Sequence, residues 1–143
     1  MTSMDKVAFL KKVPLFKDLK EKQLKLIANR MVERKFKAGD VIVKQGTGGE
    51  GFFMVFQGTA EAVFENSKGE KVVVNSFEAT DFFGELALLS EGTRTASIIA
   101  KQDVTTQAIT RWDFRAILME DAEMAVTILE ELANRFRTLL STL

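Results

Sequence analysis

The hydrophobic period of this chain changes twice, and those two changes constrain its fold more than any other feature. Before Pro14, Val7, Phe9 and Leu10 form an apolar cluster, and Leu24, Ile27, Ala28 and Met31 then recur at helical spacing. From Glu33 the apolar residues fall instead into short or alternating runs at 41–43, 52–56, 60–64, 72–77, 96–100 and 104–109, separated by Gly, Asn, Ser or Asp clusters. From Thr110 the helical period returns. The spacing predicts two short amphipathic helices over 1–32, about eight short strands over 33–110 in a sandwich or barrel, and helices over 111–143. With 143 residues, 46% of them hydrophobic, the chain is long enough for one domain with its own core and short for two.

Local signals sharpen this outline. Pro14-Leu15-Phe16 reads as the turn between the first two helices, and Asn66-Ser67-Lys68-Gly69 as an exposed hairpin turn in which Gly69 takes positive φ. Thr110 and Asp113 have the spacing of a capping box opening a helix through Met119, which makes Trp112 a packing residue. Phe52, Phe53 and Phe56 read as core. In the last helix, from Asp121, residues Ala125, Leu129, Leu132, Phe136, Leu139 and Leu143 alternate spacings of four and three, the a/d pattern of a helix–helix seam. That seam predicts a homodimer through 121–143, set against packing of the same stripe inside its own domain.

Composition removes most chemistries. With no Cys, no His and no Tyr, the chain has no thiolate nucleophile, no Cys- or His-based metal or haem site, and none of the commonest general base. The remaining carboxylates, Lys, Ser and Thr show no nucleophile–base arrangement, so a binding module, not an enzyme, is expected, with no cofactor and no metal. Twenty Lys plus Arg balance twenty Asp plus Glu, leaving no overall positive field for nucleic acid. No apolar run approaches the roughly 18 residues of a membrane span. Charges at Asp5, Lys6, Lys11 and Lys12 interrupt any signal-peptide core, and the expectation is a cytosolic protein.

The segment 83–98 carries the chemistry. Phe83-Gly84-Glu85-Leu86-Ala87-Leu88-Leu89 places a glycine before a short helical turn, whose first N–H groups are free to meet an anion. Arg94-Thr95-Ala96-Ser97-Ile98 follows, and a planar guanidinium suits the two free oxygens of a phosphodiester. Glu85 would repel a phosphate unless it accepts a hydrogen bond from a neighbouring hydroxyl, such as a ribose 2′-OH. One Arg, several N–H donors and one Glu together describe a 3′,5′-cyclic nucleotide. Taken singly, Arg94 reads more readily as a surface charge paired with Glu91 than as a ligand contact, and Glu85 more readily as a carboxylate favoured at a helix start. The Gly46-to-Gly51 cluster reads as a strand turn, because no Lys-Ser/Thr follows it as a nucleotide P-loop requires.

On these residues the chain resembles the cyclic nucleotide-binding domain family, which includes catabolite activator proteins and the regulatory subunits of cyclic-nucleotide-dependent kinases. Two stretches carry the resemblance: 42–58, running Ile42-Val43-Lys44-Gln45-Gly46 through Gln57-Gly58, and the cassette 83–98. The resemblance implies an α+β fold over 1–143: N-terminal helices, an antiparallel jelly-roll-like β-barrel with an inserted phosphate-binding helix, and two C-terminal helices. It implies that Glu85 holds the ribose 2′-OH and Arg94 the cyclic phosphate. Backbone around Gly84, Leu86 and Ala87 then supports that phosphate, and Thr95, with Ala96 beside it, touches phosphate or base. Val74, Leu139 and Leu140 are the base-covering candidates; the two leucines stand where the catabolite activator presents a polar pair to adenine. The implied function is a sensor for cAMP, with cGMP as the alternative, whose last helix moves on binding and signals to an effector not encoded in these residues. A non-binding interaction module and the sensor fragment of a DNA-binding regulator are the other readings; no helix-turn-helix follows Leu143, so DNA would have to be read by a further segment.

Overall fold

The computed structural model describes residues 2–48, 51–90 and 92–143 as two compact units, one helical and one of β-strands. The helical unit joins the residues up to Arg30 with Trp112–Leu143. Its elements are α1 (Ser3–Leu10), a 3-10 turn (Pro14–Phe16), α2 (Glu21–Arg30), α3 (Arg111–Glu120) and α4 (Ala122–Ser141). Helix α1 opens with a capping box: Thr2 Oγ1 accepts from Asp5 N–H and Asp5 Oδ2 accepts from Thr2 N–H, each at 3.1 Å. Pro14 starts the 3-10 turn, where its missing N–H costs nothing. Leu10, Phe16, Leu24, Ile27, Phe114, Met124 and Ile128 are fully buried, with the Phe16 and Phe114 rings 5.8 Å apart.

Helix α4 buries a stripe different from the one its a/d pattern suggests. Met124, Ile128 and Glu131 face inward, whereas Leu129, Phe136 and Leu139 are 63%, 61% and 63% exposed, and Leu143 lies beyond the helix end. One residue along a helix is a rotation of about 100°, so this one-position offset leaves the leucine seam on the outside. Among the described residues, ion pairs tie the N-terminal segment to the C-terminal helices: Lys17–Glu131 at 3.3 Å, Lys20–Glu123 at 2.6 Å and Arg30–Asp113 at 3.3 Å. Glu131 also accepts from Arg135 Nε at 3.1 Å. Burial pushes the Glu131 carboxyl up, but the hydrogen bond from Arg135 and the ion pair with Lys17 outweigh it and hold the group below its ordinary value. Trp112, expected as a packing residue, is 63% exposed. The buried positions of α3 are Phe114 and Ile117, and a residue two before Phe114 sits about 200° around the helix.

Among the described residues the β unit holds eight strands: β1 (Val32–Phe36), β2 (Val41–Val43), β3 (Gly51–Gln57), β4 (Ala60–Glu65), β5 (Lys71–Phe77), β6 (Phe82–Phe83), β7 (Ser97–Ala100) and β8 (Val104–Thr110). Every pair is antiparallel, in two four-stranded sheets of order β1-β8-β3-β6 and β2-β7-β4-β5. Apart from the β4–β5 hairpin, neighbouring strands within each sheet are distant in sequence, a jelly-roll-like arrangement, and among the described residues the two sheets are not hydrogen-bonded into one closed barrel. Alternation along the strands delivers Phe53, Val55, Ala60, Ala62, Phe77, Phe83, Ile98, Ala100, Val104 and Ala108 to one core cluster. Within it Phe83 stacks on Phe53 and meets Phe77, both at 5.1 Å between ring centres. Phe52 and Phe53 are buried, but Phe56 is 48% exposed. The β3–β8 register shifts between Val55 and Gln57, so Phe56 is the extra residue of a bulge and is turned out of the alternation. Asn66–Gly69 forms the expected exposed turn, with Gly69 at φ +82°. Among the described residues no helix is long and apolar enough to cross a membrane.

Candidate functional site

Strand β6 delivers the chain to Gly84, and the next four residues, Glu85–Leu88, form a short helical turn of the 3-10 type. Gly84 sits at φ +88°, a left-handed conformation that only glycine adopts cheaply. A Cβ there would also collide with the Gly51 carbonyl oxygen and come within 2.9 Å of Arg94 Nη1. Ala87 is the first N–H of the turn to find an acceptor inside it, Gly84 O at 3.0 Å. The N–H groups of Glu85 and Leu86 precede it and have no acceptor in the turn.

Arg94 is fixed from both directions. Its backbone N–H donates to Thr47 O and its carbonyl accepts from Gly46 N, both at 2.8 Å, and a β-bridge joins Gly48 to Thr93. Residues 46–48 therefore hold the cassette; of the strand turn expected over Gly46 to Gly51, Gly49 and Glu50 lie outside the described residues. The Arg94 side chain donates from Nη2 to Gly51 O at 2.8 Å, at the start of β3, while its Nε is buried with no acceptor among the described residues. Burial pushes the guanidinium down from its ordinary value and the Glu85 carboxylate opposes that shift. Even lowered, an arginine stays charged at neutral pH. The alternative pairing of Arg94 with Glu91 falls on a residue outside the described ones.

These groups line one cavity of about 470 Å³, together with Ser90, Gly92 and Thr93. Gly84, Glu85, Leu86, Ala87, Arg94 and Thr95 all border it. Ala96 does not; it packs against the sandwich core. Val74 does not line it either: the β4–β5 register shifts there, Val74 is the bulged residue, and it is 56% exposed. Leu139 and Leu140 belong to α4 of the helical unit, 63% and 49% exposed. Ser90, Gly92 and Thr93 were not singled out from sequence. Their only signal is position, between the glycine turn and Arg94. Chemically the cavity offers a half-buried cation, N–H donors and one carboxylate acceptor, which suits an anion carrying an adjacent hydroxyl.

Residues 33–121 match the family model described as the Cyclic nucleotide-binding domain. This chain belongs to that family. Among curated proteins, it is 39% identical over 111 residues to a cAMP-dependent protein kinase regulatory subunit of Aspergillus fumigatus, covering 78% of this chain and 26% of the relative. It thus spans about a quarter of the length of that relative. Among solved structures, the N-terminal domain of a transcriptional regulator from Streptomyces coelicolor superposes with a TM-score of 0.85 at 25% identity, over 94% of each chain. The regulatory domain of the Toxoplasma gondii PKA, solved with cAMP, superposes with a TM-score of 0.72 at 26% identity, over 93% of this chain and 50% of that one. The family is a ligand-binding, regulatory one, and the jelly-roll-like sheets and flanking helices of this cyclic nucleotide-binding domain are its expected fold.

Proposed function

We propose that residues 1–143 act as one cyclic nucleotide sensor domain that binds cAMP in preference to cGMP and performs no catalysis of its own. The observation that carries the proposal is the convergence of Arg94, Glu85 and the residues of the 3-10 turn on one cavity of about 470 Å³, within the usual size range of small-ligand sites. In this reading Arg94 turns its guanidinium to the cyclic phosphate, the backbone of Gly84, Leu86 and Ala87 supplies further donors, and Glu85 accepts from the ribose 2′-OH. Thr95 borders the phosphate or the base. One positive charge matches one phosphodiester charge; ATP, with more charge and a metal, would be undercompensated. The preference for cAMP is supported by the kinase regulatory subunits this chain resembles and by the cAMP-bound relative. Movement of α4, with Leu139 and Leu140 as cover for the base, is the proposed output, and its exposed leucine seam supports a homodimer through 121–143.

The test is calorimetric titration with cAMP, cGMP and ATP in parallel. The expected order is cAMP, then cGMP, with no binding of ATP. Arg94→Ala should remove about 1.5–3 kcal/mol, the scale of a hydrogen bond to a charged group, and Glu85→Ala less, because only a neutral hydroxyl loses its partner. Binding of the Arg94→Ala chain within a few-fold of the parent would overturn the site, and a tenfold preference for cGMP would overturn the choice of base.

A further inference from the structure

The outer face of the β2-β7-β4-β5 sheet carries an apolar stripe where an antiparallel sandwich ordinarily presents polar residues to water. Ala60, Ala62, Ile98 and Ala100 point into the core, so the alternating positions Glu61, Val63, Ser97 and Ile99 point outward. Register then draws a line across all four strands. Val41 of β2 pairs directly with Ile99 of β7, Val63 of β4 pairs directly with Val73 of β5, and Ile99 and Val63 are diagonal neighbours, opposite Glu61 and Ser97 respectively. Val41 and Val73 at the two ends are 53% and 51% exposed. The stripe is indented: Val41, Val63 and Ile99 floor a depression of about 310 Å³, separate from the Arg94 cavity.

The rim of this depression is charged. Lys44 follows β2 at one edge of the sheet and Lys71 opens β5 at the other, so the two ammonium groups bracket the apolar floor. Neither lysine belongs to an ion pair among the described residues, whereas Lys101 on the same sheet is paired with Glu61 at 3.3 Å. Only Glu65, directly opposite Lys71, offsets them, and the rim is left net positive. One end of the sheet is locked, since the Gln45 side chain donates to Glu65 O and accepts from Glu65 N, both at 2.8 Å. The depression therefore has fixed walls.

We infer that this face is a docking site for a polypeptide segment that presents aliphatic anchors flanked by carboxylates. The aliphatic groups cover the Val41–Ile99–Val63–Val73 stripe, and the carboxylates meet Lys44 and Lys71, which set orientation and encounter rate more than affinity.

The experiment follows the methyl resonances of Val41, Val63, Val73 and Ile99 in the intact chain by NMR during titration with a synthetic peptide of alternating Leu and Glu. A Leu-Lys peptide and a Ser-Glu peptide serve as comparators. The Leu-Glu peptide should shift these four residues and leave the backbone amide resonances of Arg94 and Glu85, followed in the same titration, unmoved, while the comparators shift none of them. The surface double variant Lys44→Glu/Lys71→Glu should weaken the Leu-Glu peptide roughly tenfold and favour the Leu-Lys peptide instead. Equal binding of the Leu-Glu and Leu-Lys peptides, shifts confined to other residues, or no shifts at all would overturn the inference. Methyl shifts that grow with the concentration of the chain alone would also overturn it, by identifying a second copy as the occupant.

Discussion

Substituting Gly84 by Ala tests how the cavity is built, because its consequences for stability and for binding separate cleanly. An L-residue held at φ +88° costs about 1–2 kcal/mol. The new methyl also collides with Gly51 O and approaches Arg94 Nη1 to 2.9 Å, and forcing an extra carbon into a packed site costs about 1–3 kcal/mol. The expected destabilisation is therefore about 2–5 kcal/mol, which leaves a domain of ordinary stability folded. The added carbon pushes the guanidinium away from the position in which Nη2 reaches Gly51 O at 2.8 Å. Losing one charge-assisted contact to a phosphate corresponds to about 1.5–3 kcal/mol, or roughly tenfold to a hundredfold in Kd. Gly58→Ala is the matched control: it has φ +91°, and a Cβ there would strike the carbonyl of Asp103 and come within 3.0 Å of Val104 Cα, but Gly58 does not line the cavity. Urea unfolding of both variants, with cAMP titration under conditions where both are fully folded, gives the comparison. Both should lose similar stability, and only Gly84→Ala should lose affinity. If Gly84→Ala binds cAMP as the parent does, contact with Gly84 does not position Arg94 and the geometric argument fails.

Three further outcomes are expected. Glu131→Gln should lower stability near neutral pH by about 1–3 kcal/mol, since Arg135 and Lys17 lose a charged acceptor. The Glu131 carboxyl is held below its ordinary 4.5 in the folded chain, so its contribution is complete above that value and is lost as pH falls through the lowered one. Urea midpoints of parent and variant should therefore converge in acid, and a constant gap down to low pH would contradict the assignment. If the proposed homodimer through α4 forms, the parent should sediment as a dimer and Phe136→Glu as a monomer, because Phe136 is 61% exposed in the middle of the α4 seam; a parent that is monomeric at tens of micromolar would refute the dimer. Phe114→Ala, which empties a fully buried site beside Phe16, should cost about 3–5 kcal/mol in urea unfolding and leave the cavity around Arg94 in place.

What the sequence determines by itself is what depends on short range. The period change near residue 33 and its return at Thr110 depend only on which neighbours alternate, and the strands and helices fall within a residue or two of those limits. The hairpin at Asn66–Gly69 is written in four residues. The cassette is legible for the same reason, since the glycine turn and Arg94 lie ten residues apart along one segment. Tertiary structure decides wherever the partner is distant in the chain. The two-residue strand β6 is too short to carry a period and exists because β3 pairs with it. The bulges that expel Phe56 and Val74 appear only when each strand is set against its neighbour. The sequence of α4 offers two apolar stripes one position apart; the buried Glu131 is met by Arg135 on its own helix and by Lys17, more than a hundred residues earlier, which only the fold brings to it. The Gly51 carbonyl that receives Arg94 carries no side chain to betray it. A backbone oxygen is the same at every position in a sequence, and only the fold places one where a guanidinium can reach it.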